Sequence, residues 1–213
     1  EFRRVLFRSV VCHEVGHSLG MPHNFAASSA IPVDSLRSKT YTDKYGTSMS
    51  IMDYARYNYI AQDGDGVKNY IPKVGPYDKY VVNWAYRVFP DVKKSADEIA
   101  HLDKIVEEKR GDRTYLYIKH GMTQNDPRGQ AEDLGDDAIK AGELGLKNLR
   151  YVVANFDKWI LEPREDFKPV KEFYEEILSQ WRRYMGHVTT SIGGMYENYK
   201  KQGEDGAVYT PVE

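Results

Sequence analysis

Residues 10–24, VVCHEVGHSLGMPHN, constrain this chain more than any other stretch, because they hold three histidines, a glutamate and a glycine in a fixed relation. His13 and His17 are four residues apart, so on a helix both imidazoles project from one face, one turn apart, and can share a metal ion. Glu14 flanks that stripe without lying on it. From there its carboxylate can reach a metal-activated water while coordination is left to nitrogen, which is the placement of a general base. Gly20 stops the helix, since a glycine just past the last periodic residue takes the left-handed conformation and turns the chain back. Pro22 bars the helix from continuing, and the reversal returns His23 as a third ligand. Three neutral imidazoles leave one coordination position open, which separates a catalytic zinc from a structural one.

Taken together, His13, Glu14, His17, Gly20 and His23 spell H-E-x-x-H-x-x-G-x-x-H, which resembles the motif of the metzincin zinc peptidases. Ser50-Ile51-Met52-Asp53-Tyr54 is similar to the methionine turn of that clan, S-x-M-x-Y. The resemblance implies Zn2+ as the cofactor, Met52 beneath the metal without a bond to it, and Tyr54 near the metal as a stabiliser of the tetrahedral intermediate. The HN after the third ligand, SIMDY, GPYDKY, EDLGDD and RYMGHV look like a subfamily of large secreted bacterial zinc-dependent metalloproteases, a likeness that covers nearly everything after Val10. It implies an endopeptidase acting on protein or peptide substrates through a metal-activated water, with Glu14 as general base, in a secreted or cell-envelope location. A reading from another class is a non-catalytic helical binding or scaffold module with a structural or vacant metal site. Glu14 weighs against it, because a structural site has no use for a carboxylate beside an open coordination position.

Residues 1–9, EFRRVLFRS, carry no hydrophobic period that leads into the zinc helix. The peptide is what translation of a widely used short-read sequencing adapter would give, so these residues are expected to be an assembly artefact and stand outside fold reasoning. The chain is then expected to be a piece lacking what precedes its zinc helix. The net charge of −2 becomes more negative without them, and neither value suggests a nucleic-acid surface. No apolar run approaches the roughly 20 residues that span a membrane. The single cysteine, Cys12, excludes an internal disulfide; it is expected to face away from the metal as a small packing residue.

Val11, Val15 and Leu19 form the apolar stripe of the zinc helix, with Gly16 allowing close backbone approach. Residues 25–48 lack a sustained period and are expected to be mostly loop; the sequence assigns Asn24 no role beyond that of a loop amide bonding local backbone. Asp63-Gly64-Asp65-Gly66 fails the calcium-loop test, because valines stand where an EF-hand needs oxygen ligands, and reads as a polar turn. Pro76 opens a helix with Tyr77, Tyr80, Val81, Trp84, Ala85 and Val88 on one face. Ser95 and Glu98 form a capping box for another, with Ile99, Leu102 and Val106 inward and Gly111 at its end. Residues 114–118 are β-prone. The acids of residues 126–137, Glu132, Asp133, Asp136 and Asp137 among them, are read first as helix capping and only second as metal or substrate ligands. Ile139, Leu146, Leu149, Val153, Phe156 and Ile160 predict one long amphipathic helix. After a turn punctuated by Pro163 and Pro169, the residues Val170, Phe173, Ile177, Trp181, Tyr184, Val188 and Ile192 repeat the period, so the two should pack as an antiparallel hairpin.

The expected fold is mainly α. Residues 10–94 would form the C-terminal (lower) half of an α+β metzincin catalytic domain, comprising zinc helix, methionine turn and closing helix. Residues 95–213 would form a helical extension with a long antiparallel helix pair. Metzincins place a sheet before the zinc helix, so this stretch alone is expected to expose Val11, Val15 and Leu19 and to lack peptidase activity.

Overall fold

The computed structural model describes residues 2–119, 125–161 and 166–212. It is mainly helical. The zinc helix α1, Phe2–Ser18, runs without interruption through the residues expected to lie outside the fold, since arginine, leucine and valine supply no breaker there. Gly20 ends it as the spacing predicts, at φ 78°. The N–H of Gly20 donates to the His17 carbonyl at 2.9 Å and that of Met21 to the Gly16 carbonyl at 3.0 Å, a complete Schellman motif. Val11, Val15 and Leu19 are exposed, at 41%, 50% and 41%.

The expectation of loop over residues 25–48 needs correcting in two ways. A 3₁₀ turn, Val33–Arg37, leads into α2, Lys39–Tyr45, whose N-cap Ser38 accepts from the Tyr41 N–H and whose chain turns away at Gly46. More important, the irregular parts are core. Residues 24–29 and 46–53 are buried without a break, and Ala27, Ile31, Val33, Leu36 and Met49 join Ala55, Ile60, Leu134 and Ala141 in one apolar cluster. That cluster draws on residues from both sides of position 94. Segments this short on regular structure can be buried because their polar groups are paired across the fold: Asn24 N–H with the Met52 carbonyl, Met49 N–H with Ala27, Phe25 N–H with Ile118.

Helix α3, Pro76–Tyr86, buries only its first turn, Tyr77 and Asp78; Trp84 and Val88 are exposed. In α4, Ser95–Glu107, Ser95 is the first helical residue and Lys94 the N-cap, so the capping box does not form. Asp97 and Glu98 instead sit in the first turn, where the helix dipole favours acids. Ile99 is exposed. Residues 114–118 form no strand: a 3₁₀ turn, Arg113–Tyr115, gives way to extended chain that pairs with residues 24 and 25. The strands found are β1, Met195–Glu197, and β2, Tyr209–Pro211, an antiparallel pair with Tyr196 opposite Thr210.

The expected long helix is broken into α5, Ala138–Val153, and α6, Phe156–Ile160. Asn155 stands between them, its Nδ2 donating to the Tyr151 carbonyl, and so competes for an acceptor of the last turn. Helix α7, Lys168–Thr189, packs antiparallel to α5, with Gly142 facing Val188 and Gly145 facing Tyr184. Pro163 lies outside the described residues. The face that α5 buries is Ala141, Gly142 and Gly145 rather than Ile139, which is 61% exposed. A Cβ on Gly145 would lie 2.7 Å from the Tyr184 ring, so large residues cannot occupy this seam.

Candidate metal centre

Helix α1 presents His13 and His17 one turn apart, and the Schellman reversal brings His23 onto the same point. His23 Nε2 lies 3.1 Å from His13 Nε2 and 3.0 Å from His17 Nε2, and one ligand atom from each histidine falls within 4.8 Å of the others. Two nitrogens bound to one tetrahedral zinc at about 2.0–2.1 Å would sit about 3.3 Å apart. The orientation of the rings is as informative as their spacing. His13 Nδ1 is 2.7 Å from the Ile51 carbonyl and His17 Nδ1 2.9 Å from the Met21 carbonyl. A carbonyl only accepts, so in both rings Nδ1 carries the hydrogen and Nε2 presents a lone pair. The lone pairs of His13 and His17 thus face His23 Nε2, and in the tautomer of His23 that adds a third lone pair the arrangement suits a cation. Burial, then the neighbouring His17 and His13, hold the His23 imidazole below its ordinary range against the pull of Glu14, which favours the neutral, ligating form. Among the described residues this is the one cluster of three or more histidine, cysteine or acidic groups with such geometry.

Glu14 is exposed and lines, with His13 and Tyr54, a cleft of about 520 Å³. The Tyr54 ring lies 4.3 Å from His23 and 5.6 Å from His13, centroid to centroid, with Phe25 at 5.5 Å. Met52 is fully buried under α1. A Cβ on Gly16 would meet its sulfur at 2.3 Å, so the glycine two positions after Glu14 is what lets the methionine turn seat against the helix. Cys12 packs beside Met52, Met21 and Ile51.

Two residues hold this turn in ways that local reading misses. Asn24 is expected to bond local backbone, and it does accept from Ala26 N–H at 3.2 Å; it also accepts from Ile118 N–H at 3.1 Å and donates to the Leu116 carbonyl at 2.9 Å. Asp78 was not singled out. Its carboxylate accepts from Gly75 N–H at 2.6 Å and Ile51 N–H at 2.9 Å, and from the Ser50 hydroxyl. The signal was the acid in the first turn of a proline-opened helix, within GPYDKY. A Cβ on Gly75 would fall 1.9 Å from the Met49 carbonyl oxygen, so only glycine lets α3 start here.

Behind the turn lies a buried acid pair. Asp53 accepts from Ser28 N–H and from the Ser48 hydroxyl at 3.0 Å, and the Ser28 hydroxyl reaches Asp133 at 3.4 Å. Desolvation pushes Asp53 up to about 7 despite those hydrogen bonds, and pushes Asp133 well above the carboxylate range, with Asp53 adding to the rise. The other acids of that segment divide their work. Asp137 caps α5 through Lys140 N–H, and Asp136 accepts from Val33 N–H at 3.0 Å. Glu132, the one non-glycine residue with positive φ (65°) among those described, is ion-paired to Arg56 and Arg183. None of the four belongs to a metal-ligand cluster among the described residues, and capping accounts for Asp137 alone. Asp65, in the expected polar turn, forms a two-toothed ion pair with Arg37 at 2.8 Å.

The RYMGHV stretch packs against EDLGDD and the residues flanking it. Arg183 meets Glu132, Tyr184 packs on Gly145, and His187 donates from Nε2 to the Ala131 carbonyl at 3.0 Å.

Among families of known proteins, residues 1–213 match one described as Met-zincin. No curated protein and no solved structure matches. No helix among the described residues is long and apolar enough to cross a membrane.

Proposed function

From the premise that the chain belongs to the Met-zincin family, we propose that His13, His17 and His23 hold a catalytic zinc ion and that the protein is an endopeptidase acting on protein or peptide substrates. The observation that carries this reading is the convergence of three imidazole Nε2 atoms whose opposite nitrogens, where bonded, donate to backbone carbonyls. Zinc bound there supplies Lewis acidity, polarising the scissile carbonyl and making water a nucleophile near neutral pH. The chain's own groups do the rest. Glu14, in the same cleft as His13, takes a proton from the attacking water and delivers it to the departing amine. The Tyr54 hydroxyl donates to the oxygen on which negative charge develops. The Ile51 and Met21 carbonyls fix the rings of His13 and His17, and Met52 fills the space under them.

A secreted or cell-envelope setting belongs to the same reading. Metal content measured together with hydrolysis of a mixed peptide library by the full-length protein tests it. Glu14→Ala should keep zinc and lose most turnover, while His17→Ala should lose the metal. Near-normal turnover by Glu14→Ala would remove Glu14 as the base.

A further inference from the structure

The cleft that holds His13, Glu14 and Tyr54 is lined by apolar side chains, Val10, Ile71 and Pro72 among them, and by charged ones. The carboxylates are Glu14, Asp53 and Glu132, and Arg56 is the only arginine or lysine among the described residues lining the cleft. Its Nε is 2.8 Å from Glu132 Oε1, while the Nε of Arg183, from α7, pairs with Glu132 Oε2. One carboxylate therefore sits between two guanidiniums, leaving the triad one positive charge in excess.

The arrangement is held at a cost. Glu132 is the single non-glycine residue at positive φ among those described, a sparsely populated conformation kept where surrounding contacts over-determine it. Arg183 is further tied to the Gln180 side chain at 2.8 Å, whereas the Arg56 side chain is 47% exposed. Arg183 and Glu132 thus act as a fixed backing, and Arg56 offers its guanidinium edge to the cleft, where a carboxylate is held by paired N–H donors.

We propose that Arg56 is a specificity-determining residue that takes a substrate carboxylate, with Glu132 and Arg183 holding it in position. The inference rests on the peptidase reading for what the substrate is, and on the cleft geometry for which group it carries. The carboxylate has two sources, an acidic side chain within the peptide or the free C-terminus, and the test separates them.

Two peptide sets are compared on the zinc-loaded full-length protein. In one, acetylated and amidated peptides carry Asp or Glu, or their amides, at each position in turn; in the other, neutral peptides end in a free acid or an amide. The expected result is a preference in kcat/KM of roughly tenfold for the carboxylate member of one set, the scale of one charge-assisted hydrogen bond. That ratio should fall toward one in Arg56→Gln and invert toward lysine-containing peptides in Arg56→Glu. Anisotropy binding of the same labelled peptides to Glu14→Gln protein, with and without Arg56→Gln, gives a readout independent of turnover. Cleavage with no carboxylate preference overturns the inference and leaves the peptidase reading standing. No cleavage, with carboxylate binding that depends on Arg56, overturns the peptidase reading and supports the assignment of Arg56. Neither cleavage nor such binding overturns both.

Discussion

Helix α1 and the irregular segment that follows it divide the site between them in opposite ways. The helix is the most regular element near the histidines and the least covered, with its apolar stripe open to solvent. Residues 24–29 and 46–53 have little regular structure and are buried throughout. Two of the three histidines thus ride on an exposed rod and the third on the turn that ends it, while the Ile51 carbonyl on His13 and the Met52 sulfur against Gly16 come from irregular buried chain. Precision in this site comes from buried hydrogen bonds made to chosen atoms, and substitutions there should cost far more than substitutions on the helix face.

The largest effect is expected at Asp78. Asp78→Ala leaves the Ser50 hydroxyl and the N–H groups of Ile51 and Gly75 without their acceptor in a buried place, and each such orphan costs about 1–3 kcal/mol. A loss of about 3 kcal/mol or more in urea unfolding is the expected outcome. A loss under 1 kcal/mol would show that the turn is not held by this carboxylate.

Next in size is a dependence on pH. The Asp53 carboxyl in the folded protein titrates at about 7, above its unfolded range, so the folded form binds the extra proton. Its stabilising contribution is complete below about pH 4 and is lost as pH rises through about 7. Asp133 and Asp78 are displaced in the same direction by burial. Metal-free protein should therefore resist urea better at pH 5 than at pH 8, and the fall between them should be shallower in Asp53→Asn. An identical fall in both proteins would mean that the pair behind the turn does not titrate in this window.

Much of this contrast could be read in advance, and the reason for what could not is physical. The metal centre was legible because its chemistry demands particular residue types within eleven positions, and a Gly20 whose backbone role is local. Asn24, Asp78 and Asp133 have partners 27 to 105 residues away, and an acid in a first helical turn looks the same whether it caps its own helix or also clamps another. The α5–α7 pairing was legible from its period. Its buried face was not, because apolar size points to Ile139 whereas close approach selects Ala141, Gly142 and Gly145. Asn155 breaks the helix by a side-chain hydrogen bond that the apolar period does not register.

Smaller effects sharpen the comparison. Met52→Leu keeps volume and should cost less than about 1.5 kcal/mol with zinc retained. Loss of zinc binding in that variant would give the sulfur a role beyond filling the space beside Gly16. On the exposed side, Val15→Ser should change stability by no more than about 0.5 kcal/mol, since the side chain is already half in water. A cost several times larger would show that the α1 stripe is covered in solution, and the contrast between rod and buried segment would fail.

The central claim, that three imidazoles converge on one zinc through Nε2, is tested most directly by zinc-edge X-ray absorption on the metal-loaded protein. The account predicts one zinc per chain with three imidazole nitrogens at about 2.0–2.1 Å and a lighter oxygen-type neighbour in the remaining position. A sulfur neighbour at about 2.3 Å, from Cys12 or Met52, or a shell with fewer than three imidazoles, would contradict it.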